Sequence, residues 1–167
     1  MTKDMLSSQL NDLVIGIDHV ALAVEDIDAS ITWYTKALGF SLLDRSDISG
    51  DHSSMVYAVL KCGSSTIVLV QGTSPESQVS KFIETFGTGM HHIALAVSDL
   101  DAALARVSNA GGHTDTPIIA DEGIRQTFLH RDPVTGIRIE LIERKDAPFS
   151  EKNVEDLFRA LEEKNLY

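Results

Sequence analysis

The strongest constraint on this chain is that it repeats itself once. Residues 16–31 read GIDHVALAVEDIDASI and residues 89–104 read GMHHIALAVSDLDAAL, in register at a spacing of 73. Gly16/Gly89, His19/His92, Ala21/Ala94, Leu22/Leu95, Val24/Val97, Asp26/Asp99 and Asp28/Asp101 coincide. A period this long, occurring twice, describes two copies of one supersecondary unit and not a solenoid. Each copy carries a histidine at the same place. Two equivalent strands can therefore bring two imidazoles to one point.

The pattern around the repeat predicts each unit as βαβββ. Ile17–Val24 alternates as a strand, with His19, Ala21 and Ala23 on one face and Asp18, Val20, Leu22 and Val24 on the other. Asp26 or Asp28 caps a helix with the stripe Ile31, Tyr34 and Leu38, and Gly39 stops it. Phe40–Leu43, Ser54–Lys61 and Thr66–Val70 read as strands. Ser74-Pro75-Glu76 opens a connecting helix striped by Val79, Phe82, Ile83 and Phe86. The second unit offers strand Met90–Val97, a helix capped by Asp99, and strands near His113–Pro117, Gln126–His130 and Gly136–Ile142. Asn153–Lys164 is an amphipathic tail helix on Val154, Leu157, Phe158 and Leu161. The expected fold class is α+β, two paired βαβββ modules with a C-terminal helix. Its parts are a lead-in over 1–15, modules over 16–75 and 89–145, a connecting helix over 76–88 and a C-terminal helix over 146–167.

The cup face suggests a metal site. His19 and His92 are each followed on their own face by two alanines, which leave room for a ligand where packing alone would favour Val or Ile. GIRIELIER places Glu140 on a face with Arg138 and Ile142, opposite Ile137, Ile139 and Leu141. A carboxylate inside such a strand is costly unless it is paired or metal-bound. Arg138 or Arg125 is the ion-pair alternative. The matching strand TIVLV offers no ligand, so the count is two histidines and one carboxylate, the set found in non-haem iron(II) oxygenases. His91 competes with His92, but parity and the repeat favour His92. His52, His113, His130 and the end Glu143-Arg144-Lys145 read as solvated surface, and Trp33 and Tyr34 as core.

A net charge of -11 over 167 residues argues against nucleic acid and anionic membrane surfaces, since both would be repelled. Cys62 is the single cysteine, which excludes a disulfide framework and a cysteine zinc site. Met1–Val14 has one Lys and no apolar core, unlike a signal peptide. A cytoplasmic setting and a homodimer are the default expectations.

The motifs IDHVALAV, HHIALAV and GIRIELIE resemble the ligand strands of the vicinal oxygen chelate superfamily (glyoxalase, bleomycin resistance and dioxygenase proteins) over residues 16–144, which implies that the two paired βαβββ modules form a metal-containing cup. DEGIRQTFLHRDPVTGIRIELIER and FSEKNVEDLFRALEE resemble one branch, the catalytic half of 4-hydroxyphenylpyruvate dioxygenases. That resemblance implies Fe(II) on His19, His92 and Glu140, with Co, Mn, Ni or Zn as alternatives. It implies a small 2-oxo acid and dioxygen as substrates. Catalytic contacts would come from Gln126 and Gln78, and substrate contacts from Gln71, Tyr57, Phe128, Phe149 and Asn153. The tail helix would be a lid. The chain departs from that branch in length, about half, in having His91 where the branch has glutamine, and in having Tyr57 where it has serine. The alternative activity is a metal-dependent isomerase, epimerase or lyase of the glyoxalase and methylmalonyl-CoA epimerase type. That type tends to add a fourth polar ligand on the strand holding Val68. A third reading is a resistance protein that binds a small molecule without turnover.

Overall fold

A computed structural model describes residues 9–167. Most of the lead-in, residues 1–8, lies outside them. The apolar alternation of the repeat produces β1 (Val14–Ala23) and β5 (Gly89–Val97), which pair antiparallel at the centre of one eight-stranded sheet. On one side lie β2 (Ser41–Ser49), β3 (Ser54–Cys62) and β4 (Ser65–Gly72). On the other lie β6 (Ile119–Asp121), β7 (Ile124–Phe128) and β8 (Arg138–Arg144). The order β2-β3-β4-β1-β5-β8-β7-β6 is the same on both sides of the centre: β4 runs parallel beside β1, and β8 runs parallel beside β5. Both modules therefore belong to one chain and close one half-barrel.

The helices sit on the outer face and at the open edge. Asp26 Oδ1 accepts the Ala29 N–H to start α1 (Ile27–Leu38), and Asp99 Oδ1 accepts the Ala102 N–H to start α3 (Leu100–Asn109), the same cap in each repeat. Gly39, at φ 74°, ends α1 in the left-handed conformation that favours glycine. Trp33 and Leu38 are exposed, so the α1 stripe narrows to Ile27, Ile31 and Tyr34. The connecting helix α2 (Gln78–Phe86) is capped by Ser77 and not by Ser74. Ser74 is engaged elsewhere, its hydroxyl accepting the Ser54 N–H.

Residues 113–117 form no strand. Thr114 makes a single bridge to Leu129, and the Thr116 hydroxyl accepts the Phe128 N–H in place of a ladder bond. Pro117, which lacks an N–H, ends the approach and pairing resumes at β6. Helix α4 (Glu151–Glu163), capped by Ser150, covers the cup with Phe158 and Leu161 buried. It is tied to the β2–β3 turn by Glu162, which accepts the N–H groups of Asp51 and His52 and the Ser53 hydroxyl. No helix among the described residues is long and apolar enough to cross a membrane.

Candidate metal centre

The central pair β1/β5 and strand β8 bring His19, His92 and Glu140 together at the floor of the cup, all buried. His19 Nε2 lies 3.3 Å from His92 Nε2, and the Glu140 Oε2 lies 3.5 Å and 3.1 Å from those two atoms. A divalent first-row ion with bonds of about 2.1 Å holds neighbouring ligands about 3 Å apart. The three donors thus form one triangular face of a coordination shell. Glu140 Oε1 is buried without a hydrogen bond among the described residues, so the carboxylate has capacity to spare. The donor set fits a divalent metal.

Electrostatics agrees. Burial raises the Glu140 carboxyl, but the hydrogen bonds from His19 and His92 outweigh it and hold the group at about 2. Burial lowers His19, but Asp18 and Glu140 lift it to about 9. His92 stays lowered, because burial is only partly offset by Glu140. A proton on His19 occupies the place a metal would take, so metal entry displaces it.

The strand-parity reading fails at the residues just before each histidine. The β1/β5 register skips Asp18 between Ile17 and His19, and skips His91 between Met90 and His92. Each is the extra residue of a β-bulge, and a bulge turns that side chain onto its neighbour's face. Asp18 is therefore beside His19, its Oδ1 2.8 Å from His19 Nδ1. Arg144, expected to be solvated, grips Asp18 with two bonds of 2.9 and 3.0 Å. Between His19, pulling it down, and burial, pushing it up, Asp18 settles at about 2 with Arg144's help. His91 is likewise inside, its Nδ1 2.8 Å from His92 Nδ1. Burial, with the charges of His92, Arg138 and Arg131, holds His91 well below its ordinary value. What could have revealed both is their type: each is a polar residue preceding the repeated histidine in an otherwise apolar strand.

A narrow cavity of about 70 Å³ opens above the triad. That is room for a small molecule, where one water needs roughly 10–15 Å³ by this measure. Gln78, Gln126, Phe128, Tyr57 and Phe149 line it. Phe128 meets His92 edge-on at 4.9 Å and Phe149 meets His19 at 5.1 Å. Gln126 Nε2 donates to Asn153 Oδ1 at 2.6 Å, and Gln78 Nε2 donates to the Phe158 carbonyl at 3.3 Å. The remaining amide atoms, Gln126 Oε1, Gln78 Oε1 and Asn153 Nδ2, are buried and make no hydrogen bond among the described residues. Tyr57 donates its hydroxyl to Asp44 at 2.8 Å, and burial with that contact raises it above its ordinary value.

Gln71 is not brought to the cavity. Its Oε1 accepts the Ile27 N–H at the start of α1, as Glu143 Oε2 accepts the Leu100 N–H at the start of α3. The duplicated fold uses this strand position twice as a helix cap. Arg125 pairs with Asp101 and Glu143, leaving Glu140 to the histidines. The parallel registers also settle which residue mirrors Glu140. Ala94 faces Glu140, and its repeat partner Ala21 faces Val68. The fourth position of the symmetric site is thus a valine.

The profile of the Glyoxalase/Bleomycin resistance protein/Dioxygenase superfamily matches residues 16–141, and the chain belongs to that superfamily. A 3-methylcatechol 2,3-dioxygenase of Pseudomonas putida is 34% identical over 109 residues, which are 65% of this chain but only 38% of that protein. The structure of a methylmalonyl-CoA epimerase from Mycobacterium tuberculosis is 33% identical, with a TM-score of 0.68 over 81% of this chain and 91% of that one. A triply substituted 4-hydroxymandelate synthase from Streptomyces coelicolor shares the fold, with a TM-score of 0.80 at 19% identity over 89% of this chain and 54% of that one. Matching over nearly the whole epimerase favours the isomerase alternative over the oxygenase expectation. The coarser conclusion holds for both: the chain is a superfamily enzyme with a candidate metal triad.

Proposed function

We propose that this superfamily member is a metal-dependent enzyme that takes a small acid through two neighbouring oxygens, and that its reaction is dioxygen-dependent oxidation of a 2-oxo acid with Fe(II) in the triad. The observation that carries this reading is the ligand count. Three protein donors sit on one triangular face, and Val68 and Val70 occupy the side where a fourth ligand would stand. An ion held by His19, His92 and Glu140 alone would keep room for a chelating acid and for dioxygen. The chemistry such an ion supplies is reduction of dioxygen coupled to oxidative decarboxylation of the acid.

The chain's own residues bind, orient and exclude water. The Asp18–Arg144 pair holds the His19 ring with its Nε2 toward the cup. Gln126, locked by Asn153 of α4, presents Oε1, and Gln78, locked by the Phe158 carbonyl, presents its own Oε1. Both atoms are acceptors for a hydroxyl or N–H of the substrate. Phe128, Phe149, Val154 and Leu157 make the rest of the wall apolar. Because α4 carries Asn153, closing the lid and fixing Gln126 are one event.

The second reading is an epimerase or lyase using another divalent metal, and what supports it is the likeness to the epimerase along nearly its full length. Such a reaction needs a base for a proton beside a carbonyl. With Glu140 on the metal, the cavity lining holds no other carboxylate to serve as that base. The test is an oxygen electrode on anaerobically iron-loaded protein with a panel of aryl and alkyl 2-oxo acids. Uptake coupled to carbon dioxide release supports the oxygenase. Isotope exchange of an α-proton in deuterated buffer, with no uptake, supports the second reading.

A further inference from the structure

The cup has a second polar corner that the triad does not use. It is made by His91 of β5 and, on the paired strand β8, Arg138, the register partner of His92, with Arg131 from the loop before β8 lying over Phe82, whose ring meets His91 at 4.8 Å. His91 is 5% exposed and Arg138 2% exposed. Among the described residues, Arg138 Nε and Nη1, Arg131 Nη2 and His91 Nε2 are buried and make no hydrogen bond. All four atoms are donors. For the guanidinium groups this is a matter of chemistry. For His91 it follows from its neighbour. With His92 Nε2 on a metal, the His92 proton would stand on Nδ1 and donate to His91 Nδ1, which places the His91 proton on Nε2.

The charge is also unbalanced. The carboxylate at this corner is Asp115, whose Oδ2 lies 3.2 Å from Arg138 Nη2 and makes no hydrogen bond among the described residues. Asp115 already engages His130 through Oδ1 at 3.0 Å, and its carbonyl accepts Lys164 Nζ at 2.6 Å. Arg131 lies over the rings of Phe82 and Phe86, and its Nη1 donates to the Gly136 carbonyl. In a chain of net charge -11, this corner is a concentration of cations. An ion pair with Asp115 accounts for one nitrogen of Arg138 and leaves two. Buried donors without acceptors lose their hydration with nothing in return, and charged ones lose the most. An oxyanion would satisfy them together.

We propose that His91, Arg138 and Arg131 form an anion subsite that takes a carboxylate-sized oxyanion carried by the substrate itself. The inference rests on the reading of the triad as the seat of a chelating acid. His91 lines the cavity, and Arg138 stands beside His92 across the β5/β8 pairing, two strand positions from Glu140. Two positions on one strand face are about 7 Å apart. That separation suits a short diacid, chelating at one end and ion-paired at the other. Substrate length and charge would then be set by the second module alone.

The probes are 2-oxoglutarate and 2-oxopentanoate, equal in carbon number and differing in the distal carboxylate. Titrated into zinc-loaded protein, where no oxidation intervenes, the diacid is expected to bind at least 10-fold tighter. Arg138→Gln should reduce that preference to within about twofold while zinc content stays unchanged. Glutarate, which lacks the 2-oxo group, is the control for the triad. It should raise the thermal midpoint of metal-free wild type and fail to do so in Arg138→Gln. His91→Phe and Arg131→Gln should each weaken both effects, and they stand in if Arg138→Gln does not fold. Equal binding of the two oxo acids by wild type, or a preference that survives these substitutions, overturns the subsite. Failure of both oxo acids with an Arg138-dependent glutarate effect overturns the chelating-acid reading and leaves the subsite standing.

Discussion

Strands β1 and β5 carry the same histidine in the same register, yet the two rings are held in different ways. His19 is backed by a carboxylate, Asp18, which Arg144 fixes in place. His92 is backed by a neutral imidazole, His91, whose far nitrogen faces cationic side chains. The neighbouring strands differ as much. β8 supplies Glu140, while the mirror position on β4 is Val68. The two halves keep one backbone plan, down to the bulge before each histidine and the caps at Ile27 and Leu100. Duplication thus fixes where a ligand can stand, and substitution decides which half adds the carboxylate and which half leaves space.

The sharpest break of this comparison is at the mirrored strand positions. Glu140→Ala should lower metal affinity by at least about 100-fold, near 2.7 kcal/mol, whereas Val68→Ala should leave it within about threefold. Val68→Glu should do the reverse, tightening the metal while abolishing oxygen uptake by filling an open position. Competition titration against a coloured chelator reads all three. Equal losses for Glu140→Ala and Val68→Ala would remove the asymmetry.

The ring supports come next. Asp18→Asn should cost about 10–100-fold in metal affinity, the usual range for a partner behind a metal histidine. His91→Ala should cost less, because a neutral acceptor polarises His92 less than a carboxylate polarises His19. Metal binding by the two variants at one pH decides it, and a larger loss for His91→Ala would invert the account.

The lid distinguishes the modules at their rims. Deleting residues 149–167 should cut turnover greatly and remove Phe158 from the core, where its burial is worth about 1.5–3 kcal/mol. Glu162→Gln should act in the same direction and more weakly. Burial raises the Glu162 carboxyl, but the Ser53 hydroxyl and the Asp51 and His52 N–H groups hold it below the ordinary value. Its anchoring is therefore complete above the unfolded value of about 4.3 and is lost as pH falls through the lower folded value. Limited proteolysis of α4 across that acid range, in wild type and Glu162→Gln, should show an acid-induced release in the wild type alone. The smallest effect expected is at Gln126. Gln126→Leu should raise the Michaelis constant with metal content unchanged, and a loss of metal there would show that its strand face is misassigned.

Much of this was legible because it is periodic. The 73-residue repeat, the alanines beside each histidine and the lone carboxylate of β8 locate the triad without coordinates. Gln126 and Gln78, expected to face a substrate through family likeness and not through any pattern of their own, both line the cavity. Three things stayed hidden. The bulges at Asp18 and His91 break the period of two on which face assignment depends. The Arg144–Asp18 pair joins residues 126 apart, which no local pattern reports. Gln71 looked available for a substrate because its real partner is a backbone N–H, invisible in side-chain patterning. The strand expected at 113–117 failed for a similar reason: the Thr116 hydroxyl takes over a backbone role.

The most direct measurement of the central claim is metal stoichiometry of protein loaded with Fe(II) under anaerobic conditions, by elemental analysis. The account predicts one ion per chain in wild type, close to none in His19→Ala, His92→Ala and Glu140→Ala, and retention in His91→Ala. Retention of a full equivalent by the three triad variants, or loss in His91→Ala with retention in His92→Ala, would contradict it.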